Sequence, residues 1–165
     1  ARYGNVFGSR GSVVPLFLNQ IKNKKKLTIT HTKMTRFSIE LEEAIAFVLN
    51  VLKDMKGGEI FVPKLSSYKI LDLLSAFETK NFQIIGIRDG EKIHEELITS
   101  QEKLRTLEKK NHFIILPRVT KKNNKVSDSL KSYNSNNNNN FLNVKKLKHK
   151  IKEFEKNKKV NSIYK

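Results

Sequence analysis

Three loops of this chain carry the residue types from which an anion site can be built. Gly4-Asn5-Val6-Phe7-Gly8-Ser9-Arg10-Gly11-Ser12 is rich in glycine, carries Arg10 and runs directly into an apolar stretch with helical spacing. Backbone N–H groups at such a turn, a helix N-terminus behind it and a guanidinium beside it suit a phosphate. The spacing matches neither G-x-G-x-x-G nor a P-loop, so an ordinary connecting loop stands level with an anion site. Arg36, in Met34-Thr35-Arg36-Phe37, and Arg88, with Glu91 and Lys92 after it, are the other two basic positions. Their plain readings are a solvated side chain and a salt-bridged turn. His94-Glu95-Glu96-Leu97-Ile98 opens like the H-E-x-x-H zinc helix, but Ile98 stands in place of the second histidine. With no cysteine and histidines scattered at 31, 94, 112 and 149, no metal site is expected. No G-x-S-x-G nucleophile elbow occurs either.

The composition frames these loops. The 165 residues hold 33 Lys+Arg against 16 Asp+Glu, a net charge of +17, with no cysteine and no tryptophan. That removes disulfides and thiol chemistry. No stretch reaches the ~20 apolar residues of a membrane span and no signal-peptide apolar region opens the chain, so a cytoplasmic protein without a transmembrane segment is expected. A charge of this size points to a polyanion, and a non-catalytic basic protein binding a polyanion or a sugar nucleotide is one alternative function. The excess is uneven, however. Residues 1–118 hold 20 Lys+Arg and 13 Asp+Glu, net +7, while residues 119–165 hold 13 and 3, net +10. Residues 119–140 read as a disordered Asn/Lys-rich linker, of the kind AT-rich coding produces. Residues 141–165 read as a basic tail in which Val144, Leu147, Ile151 and Phe154 form one helical stripe among lysines. Such a helix suits a membrane surface or a partner, and a merely solvated helix is the plainer reading. Without a helix-turn-helix or RNA-binding signature, no specific nucleic-acid partner is expected.

Residues 1–118 alternate between helix-like and strand-like segments, which argues α/β. Ser12 caps a helix with Pro15 in its first turn. Leu27 to Thr30 reads as a strand, and Leu41, Ala44, Ile45, Val48, Leu49 and Leu52 read as a helix that Gly57-Gly58 stops. Glu59 to Val62 is a strand closed by Pro63, and Ser66 or Ser67 caps a helix through Phe77. Phe82 to Ile87 is a strand, Arg88-Asp89-Gly90 a turn, His94 to Leu107 a helix and His112 to Leu116 a last strand. Four or five strands are too few for a doubly wound sheet, and the chain opens as though in mid-passage from strand to loop. It therefore reads as the C-terminal part of something larger, exposing Ile60, Val62, Ile84 and Ile85 when alone.

Read in order, the same loops resemble one family. ARYGNVFGSRGSVVPLF at 1–17, ITHTKMTRFSIELEEAI at 29–45, GGEIFVPKL at 57–65 and IGIRDGEKIHEEL at 85–97 are similar, in order and spacing, to nucleotide-sugar dehydratases of the extended short-chain dehydrogenase/reductase family. They look most like the UDP-N-acetylglucosamine 4,6-dehydratases, including inverting 4,6-dehydratase/5-epimerases, and the related capsular-polysaccharide biosynthesis proteins. The resemblance covers about 1–117. It implies the C-terminal portion of an extended Rossmann-type protein, its last sheet strands plus a substrate-binding subdomain. It also implies a lyase that makes a UDP-4-keto-6-deoxy-hexosamine with NADP or NAD, for surface polysaccharide or glycan synthesis. A nucleotide-sugar epimerase is the alternative within the enzymes.

The resemblance also implies roles. Asn5 would reach the nucleotide sugar, with Tyr3 and Val6 near the nicotinamide. Gly8, Ser9, Arg10 and Gly11 would wrap sugar and diphosphate, and Ser12-Val13 would open the helix lining the nucleotide pocket. Thr35-Arg36 would contact the diphosphate, where a planar, always-charged guanidinium suits bidentate recognition. Arg88 and Glu91 would complete the phosphate and ribose contacts. Thr32-Lys33 and Asp89 depart from the relatives' usual Pro-Asp and Pro. None of the tyrosines at 3, 68, 133 and 164 is followed four positions later by lysine, and the glycine-rich dinucleotide fingerprint is missing. No catalytic residue is expected in this chain, which alone should not turn over. UDP-N-acetylhexosamine and the missing N-terminal half are the expected partners, with a homo-oligomer when complete.

Overall fold

Helix α1 (Val13–Lys22) starts where Ser12 turns from extended backbone and buries Val14 and Phe17, one helical turn apart, on its inner side. It leads into β1 (Leu27–Ile29), which pairs in parallel with β5 (Phe82–Ile84). These coordinates are a computed structural model describing residues 1–117 and 132–163, with side chains described to residue 157. Between β1 and β5 run β2 (Thr35–Ser38), α2 (Leu41–Asp54), β3 (Ile60–Pro63), β4 (Ser66–Lys69) and α3 (Ile70–Ala76). Then come β6 (Glu96–Ile98), a 3-10 turn at Glu102–Arg105, β7 (Thr106–Glu108), β8 (His112–Ile115), β9 (Tyr133–Asn134) and α4 (Val144–Ile163). The fold is mixed α/β, as expected.

Two apolar cores share one ribbon. Val14, Phe17, Leu27, Ile29, Leu73, Leu74, Leu147 and Ile151 form the first, among α1, β1, α3 and α4. Phe37, Ile39, Ala44, Val62, Leu97, Ile98, Phe113, Ile115 and Tyr133 form the second, around the antiparallel sheet β3-β8-β7. The ribbon of β2 and β4, antiparallel with Arg36 opposite Tyr68, lies between them. Met34 and Tyr68 belong to the first core and Phe37 to the second. That ribbon fixes the site's position, because its two ends are anchored in different cores. Near the start of the chain Arg2 grips Glu102 with two 2.9 Å bonds and also donates to the carbonyl of Leu97.

Several expectations are corrected. Ser66 and Ser67 do not cap a helix. They lie in β4, and α3 begins only at Ile70 with Lys69 at its cap. The span His94 to Leu107 is not an α-helix, because Glu96–Ile98 pairs with Tyr133–Asn134 and Thr106–Glu108 pairs with β8, leaving only the 3-10 turn at Glu102–Arg105. Val62 is fully buried, whereas Ile84 and Ile85 are exposed as expected. An exposed apolar row runs along α2. Its Ala44 and Val51 face inward, while Leu41, Ile45, Leu49 and Leu52 line the outside, the last 61% exposed.

The expected linker is also corrected where it is described, its residues 119–131 lying outside the described ones. Residues 132–140 are ordered by specific bonds. Ser67 N–H donates to the carbonyl of Asn140, the Asn138 amide donates to the carbonyl of Leu65 at 2.7 Å, and Asn140 donates to the hydroxyl of Ser66. Nor is the tail a solvated helix. Leu147 and Ile151 of α4 are buried against the first core with Phe154 packed beside them, while Lys148 and Lys150 pair with Glu78 and Glu40. Amide side chains that bond backbone groups, and a stripe that finds an apolar wall, supply what composition alone withholds.

Candidate functional site

The glycine-rich loop is held from three directions. Phe7 N–H donates to the carbonyl of Ile39 and Ile39 N–H to that of Asn5, so Asn5 is registered against the end of β2. A side chain on Gly4 would run into Phe37, 2.5 Å from its Cβ. Gly8 sits at φ +73°, and a Cβ there would lie 2.3 Å from the ring of Phe154 on α4. Only glycine fits both the turn and that approach.

This loop, β1, the β2–β4 ribbon and the turn after β5 enclose a pocket of about 230 Å³. Asn5, Val13, Arg36, Arg88 and Glu91 line it together with Ser12, Met34 and Tyr68. Seven residues singled out from the sequence, these five with Gly11 and Ser12, drawn from three separate segments, thus meet in one place. Tyr3, Val6, Ser9, Arg10 and Thr35 do not line it. Ser9 and Arg10 stand exposed on the loop, Tyr3 is exposed, and Val6 bridges to Ile39 beside the second core. Thr35 is buried on the far side of β2, where its hydroxyl bonds the hydroxyl of Ser135 at 2.7 Å and Nδ1 of His94 at 2.8 Å.

The two pocket arginines differ in state. Arg36, its side chain 13% exposed, donates to the carbonyls of Thr35 and Ile93 and lies 3.6 Å from Glu91 and 3.5 Å from Glu95. Its charge is more than matched. Glu91 is fixed in turn by the Thr30 hydroxyl at 3.1 Å and by the backbone N–H of Arg88 at 3.3 Å. The Arg88 guanidinium, by contrast, is exposed and has no protein partner among the described residues. Beside it in the lining stand Ser12 and Val13 at the start of α1, where the N–H groups of Val13 and Val14 precede Pro15 and the first helical bond, from Leu16 to the Ser12 carbonyl, and so have no partner within the helix. The Ser12 hydroxyl is itself buried without a hydrogen bond. An unpaired guanidinium, open helix N–H groups and spare hydroxyls together make a receptor for an anion.

Burial, with Arg36 and His31 nearby, holds the His94 imidazole below its ordinary pKa, which suits the neutral ring that Thr35 engages. Burial likewise pushes the Tyr68 phenol up to about 12, Glu95 adding to the rise and Arg36 opposing it. Among the described residues no group of three His, Cys, Asp or Glu side chains can hold a metal, and no helix is long and apolar enough to cross a membrane. The sequence reading missed Tyr68, because it placed this residue in a helix rather than opposite Arg36 on a ribbon.

A family model described as polysaccharide biosynthesis protein matches residues 1–117. The inverting UDP-N-acetylglucosamine 4,6-dehydratase of Campylobacter jejuni serotype O:2 is 46% identical over 153 residues, covering 83% of this chain and 46% of that protein. The UDP-glucose 4-epimerase of Rickettsia massiliae is 47% identical over 106 residues, covering 61% of this chain and 31% of that protein. Among solved structures, Pen from Bacillus thuringiensis superposes with a TM-score of 0.77 at 35% identity, covering 91% of this chain and 47% of that one. The chain spans about half the length of the dehydratase and of Pen.

Proposed function

We propose, because the chain belongs to the polysaccharide biosynthesis protein family, that its pocket binds the nucleotide-diphosphate portion of a UDP-N-acetylhexosamine, as part of an NAD(P)-dependent 4,6-dehydratase. The observation that carries this reading is the meeting of Asn5, Val13, Arg88 and Glu91 in one pocket whose Arg88 guanidinium is free to take a phosphate. Glu91, held by Thr30 and Arg36, offers acceptor oxygens to ribose hydroxyls, while Arg36 positions Glu91 and closes the wall. Ser9 and Arg10, on the exposed loop beside the pocket, approach the sugar when ligand is bound.

The complete reaction on this reading yields a 4-keto-6-deoxy sugar for surface polysaccharide or glycan synthesis in the cytoplasm. The residues of this chain do not by themselves fit a dinucleotide. Tyr3 is 40% exposed and Val6 packs beside the second core, so together they offer an edge rather than a cleft. On this reading cofactor contacts and proton transfer belong to a further, N-terminal half. The 47% identity to a UDP-glucose 4-epimerase favours a second reading, an epimerase using the same pocket.

Calorimetry of the 165-residue chain with UDP-N-acetylglucosamine tests the pocket. Binding that falls at least tenfold in Arg88→Ala, with an unchanged melting temperature, is expected. Binding indifferent to Arg88 overturns the phosphate assignment.

A further inference from the structure

Among the described residues two tyrosines are buried, and their hydroxyls are treated differently. Tyr133, 8% exposed, receives the backbone N–H of Leu65 at 2.7 Å and faces the carbonyl of the same residue at 3.3 Å. Tyr68 is 4% exposed, yet among the described residues nothing hydrogen-bonds its hydroxyl. The hydroxyl is not among the fully buried polar atoms left unbonded, so it opens onto the pocket it lines, beside Ser12, Arg36 and Arg88, where water occupies the place a ligand oxygen would take.

We propose that Tyr68 is a further ligand-binding residue of this pocket: its hydroxyl donates a hydrogen bond to an anionic oxygen of the bound diphosphate, alongside Arg88. This rests on the nucleotide-sugar reading and adds a residue that the loop motifs do not contain. The pocket's other polar groups dictate the direction of the bond. Arg88, the Ser12 hydroxyl and the N–H groups opening α1 are donors, and Glu91, already engaged by Arg36 and Thr30, is the carboxylate in the lining. Such a set suits an acceptor-rich group. The phenol is held for the task, since its ring packs edge-on against Phe7 with centroids 6.5 Å apart and its strand is in register with Arg36. Little side-chain entropy remains to be lost on binding. Its raised pKa keeps it an O–H donor throughout the neutral range.

Tyr68→Phe keeps the ring against Phe7 and removes only the hydroxyl, so the variant keeps its fold and its melting temperature. Calorimetry compares parent and variant, each as the 165-residue chain, against UDP-N-acetylglucosamine, UDP and uridine. The expected result is about tenfold weaker binding of UDP and of the sugar nucleotide, with uridine unaffected. Because the chain has no tryptophan, a near-ultraviolet difference spectrum on UDP binding reports its tyrosines. That signal should shrink in the variant. Equal UDP affinity in parent and variant overturns the role of Tyr68 while leaving the nucleotide-sugar reading intact. Equal weakening of UDP and uridine overturns the diphosphate assignment. A parent that binds neither nucleotide overturns the underlying reading and this inference with it.

Discussion

The backbone N–H of Leu65 donates to the phenol oxygen of Tyr133 at 2.7 Å, joining the loop between β3 and β4 to a residue 68 positions later in the chain. Tyr133 also packs against Phe37 and Phe113, with ring centroids 4.9 and 5.0 Å away, so it closes the second core as well as the loop. Tyr133→Phe keeps the rings in place but leaves the Leu65 N–H buried without its acceptor. It should cost about 1–3 kcal/mol in urea unfolding. A loss within error would mean that this N–H finds another partner.

Acid stability should depend on one pair. Side-chain bonds from Arg2, joined by those from Thr99, hold the Glu102 carboxyl down at about 2, burial opposing them. A depressed carboxylate stabilises the fold above its unfolded-state pKa, and that stability is lost as pH falls from the ordinary carboxylate range through about 2. Unfolding free energy measured from pH 6 to pH 2 should therefore fall less steeply in Glu102→Gln than in the parent. Parallel acid limbs would remove the pair from the account.

The tail should behave as core. Leu147 is fully buried, so Leu147→Ala should destabilise the chain by about 2–5 kcal/mol, with Ile151→Ala following the same trend. Were α4 a solvated helix, both changes would fall within about 0.5 kcal/mol in the same denaturant titration.

The outer face of α2 should drive self-association. Leu41, Ile45, Leu49 and Leu52 form a contiguous apolar row, and rows of this kind are covered in stable assemblies. Sedimentation velocity should find the chain associating at tens of micromolar, while Ile45→Lys with Leu49→Lys returns it to monomer at an unchanged melting temperature. A parent that stays monomeric at high concentration would contradict this.

How far the fold could be read from the sequence depended on whether a segment's neighbours were local. The period of α2 was plain in Leu41, Ala44, Ile45, Val48, Leu49 and Leu52, and Glu43 reaching back to the N–H of Glu40 at 3.0 Å strengthens its start. Which side faces inward was not plain, because that depends on a sheet of which two strands, β7 and β8, lie more than fifty residues further on. Leu97 and Ile98 have apolar spacing compatible with a helix, and only Tyr133 across the ladder makes them a strand. Ser66 and Ser67 have the local chemistry of caps, but β2 claims them. In the pocket, the loop motifs pointed to Arg36, Arg88 and Glu91, whereas the neutralised state of Arg36 and the open hydroxyl of Tyr68 arise from partners that spacing cannot supply.

The approach of Phe154 to Gly8 has a consequence for the timing of folding. A chain made from its N-terminus has every pocket-lining residue synthesised once Glu91 is added, yet the helix that steadies the glycine-rich loop begins more than fifty residues later. Until α4 docks, the first core lacks Leu147 and Ile151, and the loop carrying Asn5 lacks its backing. Ligand competence should thus emerge late and abruptly during synthesis, as the last helix closes on the first loop.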